Sequence, residues 1–473
     1  MAIDSSEGVV SHGGSTTGGT ATGNLGPVLM EEWGPEVTSQ FNNESLLMQI
    51  LEDGADHQDW DGEYVVEPLH TGRNRAGGPG GETDDYPSPG NQGFNQLQIG
   101  TCFYRTTGQI TSKAMKVAEQ GNRSAIKGLQ SDIQGGLRDL IMEIGIDMYG
   151  NPSGALAVVD DYDNASDTVT VHSTLGASDL AGNRLAETHG TRYLSGGRNQ
   201  LLMGIDIDEA DGGADNVRGR MYVNTVGSRT TFVHGSDAVS EATGPNLQDG
   251  DLLIRAPSSN SDDTFTNAAD QMRISLAGLD YLADDGTTSH AYLDNDYFGI
   301  DRSANDILDA HVRNLAGADI TEPVLQDFLD AIAERSGEVP DCLLMHRSVR
   351  TKFAQQFTSD RRFVPQEFAG GWKGEYLVYN PGDGDIHVYV DRLCPYRTIF
   401  AINKTYLKKY MLSPAHLVEY DGSMLRQNGN APVWQWAMET DLQLACTKPN
   451  TLGKLIDVNA DATFGVAGFR PEL

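Results

Sequence analysis

Between Asp61 and Tyr149 the chain reads as strand, long Gly- and Pro-rich loop, strand and one very long helix, an order that constrains the fold more than any short motif. The first run, Gly62-Glu63-Tyr64-Val65-Val66-Glu67-Pro68-Leu69, and the second, Gln96-Leu97-Gln98-Ile99-Gly100-Thr101-Cys102-Phe103-Tyr104, place β-branched and aromatic residues in rough alternation. Strands exposed on one face read this way. They are expected to pair as a hairpin. The connection from Thr71 to Phe94 holds Gly77-Gly78-Pro79-Gly80-Gly81 and Pro87-Ser88-Pro89-Gly90, which admits neither helix nor continuous strand. Loops beyond about 12 to 15 residues are uncommon in compact domains and are usually functional or disordered. A two-stranded arm is marginal alone, so the sequence predicts that it lies on another molecule.

After the arm, Thr111 or Ser112 is the expected helix cap. Apolar residues then recur at Ala125, Ile126, Leu129, Ile133, Leu137, Leu140, Ile141, Ile144 and Met148, a spacing that makes one buried stripe. A helix from Lys113 to Tyr149, stopped by Gly150-Asn151-Pro152, is about 55 Å long at about 1.5 Å per residue. Gly121, Gly128, Gly135 and Gly136 each cost about 1 kcal/mol against Ala in a helix interior. A break or a closely packed neighbour is expected near one of them.

The chain carries 67 acidic against 34 basic residues, a net charge of -33, and the first of its few lysines is Lys113. Such a surface repels nucleic acid, anionic membrane and copies of itself. At about 1 M salt the screening length falls to about 3 Å and the repulsion largely disappears; acid enrichment with scarce lysine therefore reads as adaptation to high salt. A chain of 473 residues is too long for one ordinary core and is expected to form two or three lobes. No stretch is apolar enough to span a membrane, and the Gly, Ser and Thr-rich start lacks a signal-peptide pattern, so the expectation is a soluble protein of the cytoplasm. Cys102, Cys342, Cys394 and Cys446 form no CxxC pair; buried free thiols are expected, with a disulfide left open.

Residues 1 to 60 read as an extended arm with a short helix around Glu44 to Leu51. From Thr168 to Ala256 come short β runs, at Thr168 to Val171, Leu201 to Ile205, Met221 to Val223, Thr231 to Val233 and Leu252 to Ile254, the pattern of a small inserted β-barrel. A helix is expected to begin at Thr321, with Pro323 in its first turn and Val324, Leu325, Phe328, Leu329 and Ile332 on one face, and to end before Gly337. Cys342 to Met345 is a buried strand candidate, Ser348 caps a second helix carrying Val349, Phe353 and Phe357, and Ile386 to Val390 and Trp434 to Cys446 alternate as strands. Helices segregate from antiparallel strands, which is an α+β pattern.

The histidines show no HxH or HExxH spacing, and acids are too abundant for a catalytic pair to stand out. Asp160, Asp161 and Asp163, followed by Asp167, offer oxygen ligands to a cation. They lack the glycine and closing glutamate of a calcium loop, so a solvated acidic turn is the favoured reading and no metal site is expected. Gly77 to Gly81 is not a phosphate loop, because no Lys-Ser/Thr follows it. Arg73, Arg75 and Arg105 are the only cations from 61 to 112, and Lys404, Lys408 and Lys409 read as the only basic concentration, with Arg397 and Arg426 near in sequence. All six residues of the two sets are expected to act as charge partners for an acidic neighbouring copy, the competing readings being solvated arginines for the first set and a weak nucleic-acid patch for the second.

Taken in order, these elements resemble the major capsid protein of tailed double-stranded DNA viruses. The segments that carry the resemblance include Tyr297-Phe298-Gly299-Ile300-Asp301-Arg302, Ile320-Thr321-Glu322-Pro323-Val324-Leu325-Gln326-Asp327-Phe328 and Val339-Pro340-Asp341-Cys342-Leu343-Leu344. The resemblance implies an α+β capsid fold divided as N-terminal arm (1–60), extended hairpin loop (61–111), peripheral domain with spine helix (112–167), inserted β-barrel (168–256), return to the peripheral domain (257–314), axial domain (315–430) and a final peripheral strand and tail (431–473). It further implies a non-enzymatic shell protein of the virion, assembled in the host cytoplasm into hexamers and pentamers around double-stranded DNA without sequence-specific contact. Portal, scaffolding and minor or decoration proteins are its expected partners. No membrane and no cofactor are expected beyond structural cations at high salt. Lysine crosslinking, known in some relatives, is not carried over, because residues 61 to 111 contain no lysine. The start at Met1 is read as an arm that is not cleaved, with a separate scaffold. The acidic composition points to a virus of a halophilic archaeon. A cargo-enclosing nanocompartment with the same fold is the alternative, ahead of an enzyme or an exported surface lattice.

Overall fold

The computed structural model of the chain describes residues 46–51, 64–74, 76, 85, 88–112, 124–173, 190–194, 200–205, 217–236, 247–255, 275–285, 296–356, 377–379, 386–419, 423–427 and 432–459. In chain order, helix α1 (Leu46–Ile50) precedes strands β1 (Val65–Gly72), β2 (Gly93–Ile99) and β3 (Cys102–Thr111) and helix α2 (Ser124–Asp147). Strands β4 (Ala155–Asp163), β5 (Thr168–His172), β6 (Leu201–Ile205), β7 (Val217–Val226), β8 (Thr231–Ser236) and β9 (Leu252–Arg255) follow. Next come α3 (Leu279–Leu282), β10 (Asp296–Tyr297), β11 (Ile300–Asp301), β12 (His311–Asn314), α4 (Glu322–Ser336), β13 (Cys342–Met345) and α5 (Arg347–Gln356). The last strands are β14 (Leu377–Tyr379), β15 (Ile386–Val390), β16 (Ile399–Ile402), β17 (Leu407–Leu417), β18 (Arg426–Gln427), β19 (Val433–Cys446) and β20 (Gly453–Ile456). The content is α+β. Two compact units divide the chain, one from Met1–Trp60, Thr101–Gly145 and Lys409–Gln443, the other from Asp61–Gly100, Ile146–Lys408 and Leu444–Leu473.

In the first unit, β19 is the organising strand. Its residues Val433 to Leu442 pair antiparallel with Thr111 back to Cys102 of β3, and it also bonds β17 and β18. Thr111 is thus the last residue of a strand and not a helix cap: facing Val433 across a regular ladder satisfies its backbone better than a turn would. Residues 113–123 lie outside the described residues, so the expected start at Lys113 does too. From Ser124 the helix α2 runs for 24 residues, about 36 Å at about 1.5 Å per residue. Ile133, Leu137, Leu140, Ile141 and Ile144 are buried along it; the side chains of Ala125, Ile126 and Leu129 lie outside the described residues.

The seat of this helix on the sheet is Trp436. Its indole lies over Gly136, where an added Cβ would collide with Cη2, and across Gly108 of β3, where a Cβ would stand 2.5 Å from Cε2 and Cζ2. Trp436 Nε1 donates to Asp132 Oδ2 at 2.9 Å. One of the expected glycines therefore marks a close approach, the helix and strand meeting through a ring that no side chain at either position would admit.

In the second unit, six strands close a barrel in the order β4-β5-β8-β7-β6-β9. Val159, Val169, Val171, Leu202, Met221, Val223, Phe232 and Leu253 are buried in this region. The expected boundary at Thr168 needs correction, because β4 starts the barrel at Ala155. Its first five residues are all buried and only the remainder alternates, so the acidic half disguised the strand as a turn. The chain between β5 and β6 is bonded to the rest of this unit. Arg192 donates through Nη2 to Cys394 O at 2.8 Å and to Arg392 O, and through Nη1 to His346 Nε2 at 3.3 Å. Tyr193 OH adds a bond to Leu393 O at 2.8 Å.

The same unit holds a mixed six-stranded sheet in the order β12-β20-β16-β13-β15-β14. Two of its pairings are parallel, β12 with β20 and β13 with β15, where an antiparallel set was expected. The expected split at residue 431 fails here: β20 bonds both β12 and β16, so the chain returns late to fill the middle of a sheet begun at His311. β17, assigned to the axial domain, pairs instead with β19. Helix α4 starts after Thr321 and ends at Gly337, whose φ of 77° lets its N–H reach Ala333 O. Its Leu325, Phe328, Leu329 and Ile332 share one core with Val349 and Phe353 of α5 and with Leu343, Met345, Ile386, Val388, Ile399, Ala401 and Leu455. The paired registers put those strand residues on one sheet face, so both helices cover the same side. Ser348 lies inside α5, not at its cap: the His346 carbonyl accepts Val349 N and Arg350 N, while Ser348 Oγ meets His346 Nδ1 at 2.7 Å. Phe357 lies outside the described residues. All four cysteines are free and buried, and burial pushes the Cys342 and Cys446 thiols up to about 12.

Candidate assembly surfaces

The arm predicted from sequence is the β1–β2 hairpin, paired antiparallel from Val65↔Ile99 to His70↔Phe94 and Gly72↔Gly93. The second sequence run is not one strand. It breaks at Gly100, whose Cβ would press on the Tyr64 ring at 3.2 Å, and resumes as β3 with a different partner. Alternation sorts the hairpin into two faces. Val65, Leu97 and Ile99 are buried at its base, whereas the opposite face carries Val66, Pro68, His70, Phe94, Gln96 and Gln98, with Val66 50% and Phe94 67% exposed. No acid stands on that exposed face, in a chain with 67 of them. The face is uncharged and carries the exposed Phe94 ring, unlike the acidic composition of the chain as a whole.

The arm is built to keep its shape up to Asn74. Gly72 and Gly93 approach so closely that a Cβ on Gly72 would lie 3.0 Å from the other's Cα. Asn74 Nδ2 donates to Gly90 O at 3.0 Å, and Gln92 Oε1 accepts from Asn74 N at 3.1 Å while meeting His70 Nε2 at 2.8 Å. At its base, Gln98 N donates to Phe298 O at 3.0 Å. That carbonyl lies in the β10–β11 turn, where Phe298 and Gly299 have φ of 48° and 89°.

The cation candidates do not form one patch. Arg73 is exposed just past β1, and Arg75 lies outside the described residues. Arg105 is exposed on β3, in register with Glu439 and 6.0 Å over the Phe103 ring. Lys404 is engaged within the fold: its N–H donates to Asp341 Oδ2 at 3.0 Å and its ammonium stands 5.6 Å over Tyr389. Lys408 and Lys409 are neighbours on β17 and so point to opposite faces; Lys409 Nζ reaches Met48 O at 3.4 Å. Arg397 is buried against Asp457 at 2.9 Å.

The acidic candidates do not converge on an ion. Asp160 Oδ1 lies 2.9 Å from His172 Nε2, and Asp161 pairs with Thr170 beyond a bulge. Asp163 caps the β4–β5 turn, accepting from Ala165 N at 3.0 Å and Ser166 Oγ at 2.7 Å; these bonds, Ser166 first, hold its carboxyl below the usual range. Asp167 takes the left-handed conformation of that turn at φ 53°. Among the described residues no group of three or more His, Cys, Asp or Glu is placed to hold a metal.

Sequence reasoning missed two charged features. Lys454 is buried with Asp280 Oδ1 at 2.8 Å and Asp284 Oδ1 at 3.5 Å; its partners lie far away in sequence, so no local pattern announced them. Helix α5 carries Arg347, Arg350 and Lys352, a run that cation spacing along an acidic chain could have revealed.

Residues 263–459 match the family model described as SU10 major capsid protein, less than half of the chain. No curated protein matches. Among solved structures, the chain is similar to that of the cyanophage A-1(L) capsid asymmetric unit, with 11% identity over 88% of this chain and 93% of that one and a TM-score of 0.49. For the capsid of Myoviridae phage XM1 the figures are 8%, 87%, 91% and 0.39. For the holo encapsulin complex of Synechococcus elongatus they are 11%, 31%, 53% and 0.22. The family match supports a structural role, that of a capsid shell protein.

Proposed function

We propose that this chain is the major capsid protein of a tailed double-stranded DNA virus, assembling as hexamers and pentamers of an icosahedral shell in the host cytoplasm. The observation that carries this reading is the match of residues 263–459, which span the whole six-stranded sheet and its two helices, to a major capsid protein family. The hairpin with one uncovered, acid-free face supports it, since a two-stranded arm gains stability only by contact. In this reading the hairpin lies on a neighbouring copy and the barrel decorates the shell. Arg73, Arg75 and Arg105 serve as charge partners between copies. A portal, a separate scaffold and minor capsid proteins complete the particle. The packaged DNA is held without sequence readout.

The charge of -33 supports assembly at high ionic strength, because at about 0.1 M salt the screening length grows to about 10 Å and adjoining subunits repel; in this reading the virus infects a halophilic archaeon. Cations bridging carboxylates between copies would substitute in part for salt. The test is light scattering and microscopy of purified particles during dialysis from high to low salt, with and without magnesium. Particles that dissociate at low salt and persist with magnesium support the reading; particles intact at low salt with all divalent ions chelated overturn its electrostatic part. Small protein-filled shells in place of DNA-filled particles would identify a nanocompartment.

A further inference from the structure

Helix α5 has its charges the wrong way round. Arg347 and Arg350 stand at its first and fourth positions, Lys352 follows at its sixth, and no acid stands in its first turn; the helix dipole disfavours cations at that end. The neighbouring α4 has the ordinary arrangement, Glu322 in the first turn and Arg335 in the last. In a chain with about two acids per base, the three α5 side chains have no ionic or hydrogen-bonding partner among the described residues, and Arg347 and Arg350 are exposed. The sequence runs on to Arg361 and Arg362, with Asp360 the only acid between positions 347 and 362.

The two helices cover the same sheet face, and their outer surfaces are of opposite sign. On α4, Asp327, Asp330 and Glu334 are exposed at the three- and four-residue spacing that makes one stripe. Resting on the shell reading above, we propose that the basic face of α5 docks on the acidic stripe of α4 in a second copy of this chain. Asp327 is already held by Arg313 of the same chain, so the carboxylates open to a neighbour are Asp330 and Glu334, four apart on one helix face as Arg347 and Arg350 are three apart on theirs. A layer acidic on one helix and basic on the next is suited to a head-to-tail contact, which closes into a ring when repeated by rotation. A polyanion fits the surface less well, because the α4 carboxylates in the same layer repel it.

The test is sedimentation of the purified full chain at the lowest salt at which the wild type assembles, for Arg347→Glu with Arg350→Glu, for Asp330→Arg with Glu334→Arg, and for all four together. Circular dichroism confirms folding of each, since all four side chains are exposed. Each pair reversed alone should weaken association by about tenfold per interface, because exposed ion pairs are individually weak. The fourfold variant should recover assembly. Variants that assemble like the wild type, or a fourfold variant no better than its parents, overturn the helix pairing. So does normal assembly with less nuclease-protected DNA in the arginine variant, which would assign α5 to the polyanion. A wild type that never assembles refutes the shell reading itself and takes this pairing with it.

Discussion

Gly135 and Gly136 are adjacent in one helix, yet alanine should stabilise at the first and not at the second. Alanine is favoured over glycine in a helix interior by about 1 kcal/mol. A Cβ at Gly135 meets nothing within 4 Å, so Gly135→Ala should collect that gain in full. At Gly136 the same carbon collides with Cη2 of Trp436 and stands 3.4 Å from Cζ2 and Cζ3. The ring has little room to withdraw: Gly108 lies against its Cε2, and Nε1 is bound to Asp132 at 2.9 Å. Overpacking a filled site costs about 1 to 3 kcal/mol, which equals or exceeds the propensity gain. The two variants should therefore differ by about 1 to 3 kcal/mol, a few degrees in melting temperature. Thermal unfolding at high salt, followed by tryptophan fluorescence and circular dichroism, reads the difference. Gly136→Ala melting as high as Gly135→Ala would refute the account of how the long helix is seated.

Lys454→Met should destabilise the second unit by about 3 to 5 kcal/mol, because Asp280 is fully buried and loses its cation; denaturant unfolding should show partial recovery when Asp280→Leu is added. His234 is held below its ordinary pKa by burial, against the pull of Asp167. The fold prefers the neutral ring, so its contribution is complete above the unfolded value of about 6.5 and is lost as pH falls from there toward the lowered folded value. His234→Gln should flatten melting temperature against pH in that window, and an unchanged slope contradicts the assignment. Deleting Arg73 to Gly90 should leave a folded, soluble subunit that forms no closed shell; normal particles by microscopy would show that the arm is dispensable.

Local patterns were legible where one physical rule dominates. Pro323 and Gly337 bound α4 as expected, and five barrel strands appear where β-branched runs lie between turn residues. The errors arise where tertiary pairing decides. Thr111 looks like a cap until Val433 is opposite it, and Gly453 to Ile456 reads as a tail until two strands claim it. Asp160 to Asp163 reads as a solvated acidic turn because acids hide the strand that carries them. Of the surface candidates, the hairpin was visible through its lack of a core. The engagement of Lys404 with Tyr389 and of Lys409 with Met48 was not, since such contacts depend on distant strands.

Cryo-electron microscopy of the purified full chain at high salt tests the central claim most directly. The account predicts closed shells of hexamers and pentamers in which the exposed face of the β1–β2 hairpin, Val66, Phe94 and their neighbours, is covered by an adjoining copy. Monomers at every salt concentration, or a lattice that leaves this face open to solvent, would contradict it.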